Sequence, residues 1–217
     1  KDYLNWENVI IDSAASLGAP VNDIGLLKPN HYIVFSLHAT KVLGAGEGAL
    51  VICGSDDAAM RLRSWSNFGF TETRCSDFHA TNAKMTEFCA AYALAALDDY
   101  DQEEKEWKTA LEAKYNTLEQ IQLTNHSDSY PGFRPYWIFD SQNMTTKIIS
   151  NLNSAGIGFR KWWPKPLTAM QAFSECPHFG NESVTWDLSN RLIGLPMWRD
   201  IETRTIDFIA GVLESSY

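Results

Sequence analysis

Long apolar runs are missing from this sequence. No stretch of about 18 uninterrupted apolar residues occurs, the length a helix needs to cross a bilayer, and the most hydrophobic segments are short and stopped by Gly, Asp or Pro. No membrane partner is expected. Positive charge is scarce as well: the net charge is -9, which opposes a polyphosphate backbone that would need clustered Lys and Arg to displace its counterions. Nucleic acid is therefore not an expected partner. Cys53, Cys75, Cys89 and Cys176 form no C-x-x-C pair, and no His stands at metal-site spacing, so neither a metal site nor a disulfide framework is expected. Free thiols in a reducing cytoplasm are the plain reading. The sequence also has no opening helix or cap. It starts at Lys1 and runs through Trp6 into an apolar strand, so the expectation is a chain that begins mid-domain.

What is present is apolar and aromatic: 45% of the residues are hydrophobic, with eight Trp and eleven Phe, enough to offset chain entropy in a folded core. Val9 to Ile11, Ile33 to Phe35 and Ala49 to Cys53 are short apolar runs bounded by turn residues and read as three buried strands. Ser55 offers an N-cap to a helix over Ala58 to Trp65, with Asp56 and Asp57 complementing its dipole and Gly69 beyond its end. Lys84 to Asp99 is Ala-rich and carries Phe88, Tyr92, Leu94 and Leu97, which predicts a helix buried on more than one side. The stripe Trp107, Leu111, Tyr115, Leu118 and Ile121 predicts an amphipathic bridging helix, and residues 124–134 read as a linker.

Beyond the linker, strands are expected at Tyr136 to Phe139 and Ile157 to Trp163. Between them Asn143 to Ala155 reads as a helix closed by Gly156. Ser183 to Arg191 reads as a further helix and Leu192 to Pro196 as a short strand. A final helix, capped by Asp200, carries Ile201, Ile206, Ile209 and Leu213. The expected division is residues 1–123 and a small α+β domain over 124–217.

The segment Phe35-Ser36-Leu37-His38-Ala39-Thr40-Lys41 leaves a strand and is followed by Gly44-Ala45-Gly46-Glu47-Gly48 before the next one. A lysine on a rigid loop at a strand end is well held for carbonyl chemistry, although a lysine in a Gly-rich loop is more often a solvated turn residue. These glycines lead into a strand. A dinucleotide fingerprint needs them to open a helix and a phosphate loop needs Gly-Lys-Ser/Thr, so both nucleotide-loop readings fail.

The S-L-H-A-T-K run with G-A-G-E-G-A after it resembles the Schiff-base signature of the DegT/DnrJ/EryC1/StrS family of sugar aminotransferases. Three more segments are similar to the family in the same order: Ile11 to Ala19, Thr81-Asn82-Ala83-Lys84-Met85-Thr86-Glu87, and Leu192 to Pro196. The resemblance implies an α/β fold of fold type I: part of a large cofactor domain, then a small C-terminal α+β domain. It implies pyridoxal 5'-phosphate as cofactor and a homodimer. The implied substrates are a nucleotide-linked keto-deoxysugar such as dTDP-4-keto-6-deoxyglucose and an L-amino acid, with glutamate as the expected donor.

Residue by residue, the resemblance makes Lys41 the Schiff-base lysine and Asp12 the carboxylate that keeps the cofactor ring nitrogen protonated. Ser36 would bind the cofactor phosphate, and Asn82 would reach the phosphate of the neighbouring subunit's cofactor. A turn-forming Asp, a strand-ending Ser and a helix-capping Asn are the ordinary alternatives at those positions. His38 is assigned no chemistry. Two positions depart from the family pattern: Ala15 stands where Gln or His is frequent, and Thr168 where a Pro-Leu-His segment often has its His. Arg160, Lys161, Trp162, Trp163 and Lys165 form a basic and aromatic cluster suited to a diphosphate and a stacked base, with strand core as the alternative for the Trp pair. Lys41 argues against a sugar dehydratase of the same superfamily, whose lysine is replaced by His. Intact Asp12, Ser36 and Lys41 argue against a non-catalytic sugar-binding or regulatory relative.

Overall fold

The computed structural model describes residues 2–18, 24–107, 109, 124–125, 136–161, 163–196, 198 and 200–216. The chain divides into two compact units, which part between Glu104 and Lys105. The expected composition boundary falls later, at Thr124, and residues 110–123, with most of the bridging helix and its stripe, lie outside the described residues.

In the first unit, β1 (Val9–Asp12) pairs in parallel with β2 (His31–Ser36), which pairs antiparallel with β3 (Ala49–Cys53). Register places Asp12 opposite Val34 and Ser36 opposite Ala49. Alternation along β2 turns Ile33 and Phe35 inward and Tyr32, Val34 and Ser36 to the other face. The expectation of three buried strands is corrected here. Only β2 keeps a regular buried row, while Ile10 is 76% exposed and β3 holds no fully buried residue, because one face of this sheet is uncovered among the described residues.

Helix α1 (Asp56–Ser66) starts as the sequence predicts, with the Ser55 hydroxyl accepting the Ala58 N–H. Helix α2 (Glu87–Asp98) starts later than expected, since the Thr86 hydroxyl caps it by accepting the Cys89 N–H. Its predicted burial on several sides is also overturned. None of its residues is fully buried and Phe88 is 90% exposed, whereas Ala93 and Ala96 pack against Leu37, Leu43 and Ala45. Small side chains let the helix approach the loop closely on one side and leave the large ones outside.

The second unit contains β4 (Thr124–Asn125), β5 (Tyr136–Ile138) and β6 (Leu192–Gly194) in one antiparallel sheet. Helix α3 (Gln142–Ser154) packs on both α4 (Ser183–Arg191) and α5 (Thr203–Glu214). Trp137, Phe139, Ile148, Leu152, Ile193, Ile206 and Leu213 are buried together, each worth roughly 1.5–3 kcal/mol over exposure. The Ser141 hydroxyl caps α3, and Gly156 ends it with φ 69°. Arg191, held by Asp187, also donates to the Phe139 carbonyl at 2.8 Å and so ties the end of α4 to β5.

Two expectations fail in this unit. Among the described residues of the run from Ile157 to Trp163 there is no strand and only Arg160 bridges to Gly194, while Trp162 lies outside the described residues. Helix α5 begins at Thr203 with Glu202 in the cap position, not Asp200, and Ile201 is buried although it precedes the helix. No described helix is long and apolar enough to cross a membrane.

Candidate active site

The parallel pair β1–β2 brings Asp12 and Ser36 to the same ends of adjacent strands. Asp12 pairs with Val34, two residues before Ser36, so both side chains belong to the open face of the sheet. The Ser13 N–H donates to the Val34 carbonyl at 2.9 Å and carries the pairing to the strand's last residue. Asp12 is exposed. Its Oδ1 accepts the Ala14 N–H at 2.9 Å, which fixes the carboxylate over the turn and leaves the second oxygen for a further donor. The Ser36 Oγ accepts the His38 N–H at 3.2 Å, so its own hydroxyl hydrogen is available to an anion.

Lys41 lies in the hairpin that joins β2 to β3. The Leu37 N–H donates to the Gly48 carbonyl (2.9 Å), the Ala45 N–H to the Leu37 carbonyl (2.8 Å) and the Ala39 N–H to the Gly46 carbonyl (2.8 Å). The Lys41 N–H closes the tip onto the His38 carbonyl at 2.8 Å. The Lys41 side chain is half-buried, and its ammonium has no hydrogen bond or ion pair among the described residues. Gly44 and Gly48 are required here. A Cβ at Gly44 would stand 2.6 Å from the Ala39 carbonyl oxygen, and one at Gly48, where φ is 145°, would collide with the Met85 sulfur. The buried Leu37, Leu43 and Ala45 press the hairpin onto Met85 and α2.

His38 braces this hairpin. Its Nδ1 accepts the Thr40 N–H at 3.2 Å, which places the neutral ring's proton on Nε2, 3.6 Å from the Glu47 carboxylate. Cys89, in the first turn of α2, borders the same loop. Hydrogen bonding to Thr86 and then to the Glu47 backbone pulls its thiol below the usual range.

Asn82 belongs to a separate segment. It is exposed and bridges Asn67 at the end of α1, so it does not cap α2, a task that falls to Thr86. Asp12, Ser36 and Lys41 thus belong to one sheet and its hairpin, while Asn82 lies in the loop after α1. In the second unit Thr168 spends its hydroxyl on Glu182 at 2.8 Å, and Trp163 is exposed rather than core. Sequence reasoning missed Thr40 and Met85 as supports of the lysine hairpin. The spacing of Gly44 and Gly48 is the one signal that could have pointed to a close approach by another residue.

The donor set fits pyridoxal phosphate: one lysine amine, one carboxylate with an unused oxygen, and a hydroxyl free to donate. A sequence profile of the DegT/DnrJ/EryC1/StrS aminotransferase family matches residues 8–214. The chain is 32% identical to dTDP-4-amino-4,6-dideoxy-D-glucose transaminase of Shigella dysenteriae, over 94% of this chain and 58% of that protein. It is 27% identical to UDP-N-acetyl-3-dehydro-alpha-D-glucosamine 3-aminotransferase of Acidithiobacillus ferrooxidans, over 94% of this chain and 56% of that protein. Among solved structures, DesI in the presence of its TDP-sugar product superposes with a TM-score of 0.80 at 25% identity, covering 96% of this chain and 55% of that one. The chain spans a little over half the length of these relatives. Over nearly all of its own length, it belongs to the DegT/DnrJ/EryC1/StrS aminotransferase family.

Proposed function

We propose that this chain supplies the lysine, the ring carboxylate and a phosphate contact of a pyridoxal-phosphate-dependent aminotransferase acting on a nucleotide-linked keto-deoxysugar. The observation that supports the reading is that the hairpin carrying Lys41 leaves directly from the end of β2, where Ser36 stands, with Asp12 at the same end of the paired strand β1. The cofactor, when bound, supplies an electron sink for the bond that loses its proton. Lys41 Nζ would hold the cofactor, release it to the incoming amine, and then move the proton between substrate and cofactor carbons. Asp12 would keep the ring nitrogen charged, because a carboxylate favours the protonated form. The Ser36 hydroxyl would donate to the cofactor phosphate, and Asn82 would reach the phosphate of the partner subunit's cofactor in a homodimer.

The names of the relatives support a nucleotide sugar as acceptor. Within that class, the motif resemblance alone points to dTDP-4-keto-6-deoxyglucose as acceptor and glutamate as donor. In the same reading, residues 1–123 are the later part of the large cofactor domain, with the bridging helix, and 124–217 the small domain. Four free cysteines support a cytoplasmic setting. Borohydride reduction of the cofactor-loaded protein and peptide mapping should place the pyridoxyl group on Lys41; a label on another lysine would overturn the assignment.

A further inference from the structure

Helix α1 ends at Ser66, and the chain reverses through Phe68 with φ 60°, a left-handed conformation that bulky residues rarely adopt. Glycine would take that turn freely, so an aromatic residue held there points to a use for its ring. The ring has one. The Lys84 ammonium lies 4.5 Å from its centroid, and the Phe70 ring stands 5.6 Å away on a tilt.

The backbone around the turn is fastened to the segment that carries Asn82. The Phe68 N–H donates to the Thr81 carbonyl (3.0 Å), the Thr81 N–H to the Trp65 carbonyl (3.1 Å) and the Ala83 N–H to the Ser66 carbonyl (2.9 Å). Asn82 therefore sits between two residues whose amides are tied to the end of α1. Lys84 adds a side-chain tie, donating to Asn67 Oδ1 at 2.7 Å while it lies over Phe68.

We propose that Phe68 is a positioning residue for Asn82: its left-handed turn sets the register of the three backbone ties, and its ring seats the lysine that locks them. This rests on Asn82 as a contact to the cofactor phosphate. Removing the ring should loosen the segment and cost the protein affinity only for ligands that carry the phosphate.

The test compares Phe68→Gly, Phe68→Leu and Phe68→Tyr in the cofactor-binding protein. Affinity for pyridoxal phosphate and for pyridoxal, which lacks the phosphate, is read from absorbance titrations, and hydrogen exchange is followed at the Thr81 and Ala83 amides. Phe68→Gly should weaken pyridoxal phosphate about tenfold, the scale of one charge-assisted hydrogen bond, and leave pyridoxal unchanged. It should also speed exchange at both amides. Phe68→Tyr should retain wild-type values. Phe68→Leu keeps bulk without a ring and should fall on the Gly side. In an Asn82→Ala background, Phe68→Gly should add nothing.

Equal weakening of both ligands, or an undiminished effect in the Asn82→Ala background, overturns the proposal. So does unchanged affinity of the Gly and Leu variants for pyridoxal phosphate while Asn82→Ala is impaired. If Asn82→Ala itself leaves pyridoxal phosphate affinity unchanged, the assignment of Asn82 fails first and the positioning role falls with it.

Discussion

Helix α2 of the first unit is richer in apolar residues than α5 of the second, yet α5 buries Ile206, Ile209, Ala210 and Leu213 and α2 buries none. The same division runs through the whole of each unit. The second unit gathers its large side chains into one closed core, from Trp137 to Leu213. In the first, the buried cluster of Leu37, Leu43 and Ala45 is small and belongs to the lysine hairpin itself. Apolar composition alone does not decide burial. In the second unit contacts go to the stability of the unit itself, whereas in the first they fasten the hairpin to Met85 and α2.

Four measurements sharpen or break that comparison. Lys41→Ala carries the largest expected effect: loss of the bound-cofactor absorbance and a fall in turnover of more than about a thousandfold, with the stability change within about 0.5 kcal/mol. A large drop in the unfolding midpoint would show that the loop lysine is structural after all. Leu152→Ala should do the reverse, lowering the unfolding free energy measured in urea by about 2–5 kcal/mol, since the side chain is fully buried and its removal leaves a cavity. A loss under about 1 kcal/mol would mean that the second core is loosely packed.

Asp12→Asn in the cofactor-loaded protein should keep binding measurable and slow single-turnover amino transfer roughly a hundredfold, because an amide cannot favour a charged ring nitrogen. An unchanged rate would remove Asp12 from that role. The smallest effect is expected on α2, where Phe88→Ser should change the chain's unfolding free energy by no more than about 0.5 kcal/mol, as its ring is almost wholly in solvent. A loss of several kcal/mol would show that α2 is covered.

Features encoded by near neighbours were the legible ones. Ser55 precedes its helix, Gly156 follows one, and β3 and α4 run over the residues that the pattern marks. Burial was not legible, because Ile10 and Phe88 look like core residues until the distant segments that leave them open are in place. Trp163 misled in the same way: its apolar run has the composition of a strand, but among the described residues Arg160 alone bridges to β6. At the candidate site, Lys41, Asp12 and Ser36 are proposed through a resemblance in motif order, since each is unremarkable by itself. Phe68 gave no warning, as left-handed turns are sought at Gly and Asn rather than at an aromatic residue. Its ring contact joins residues separated by a whole loop.

The rungs that hold the Lys41 hairpin run between main-chain atoms, from Leu37 to Gly48, Ala39 to Gly46 and Ala45 back to Leu37. Their lengths are set by the main chain rather than by the side chains at its exposed points, so substitutions at such points leave the amine at the same reach. Insertions are different. One extra residue between Ala39 and Ala45 would cost little in chain entropy, as loop closure grows slowly with length, and yet it would move the amine off its rung. The hairpin is thus permissive toward spelling and strict toward counting. An engineer transplanting it to another sheet would preserve the number of residues and the two crowded glycines before preserving any other letter.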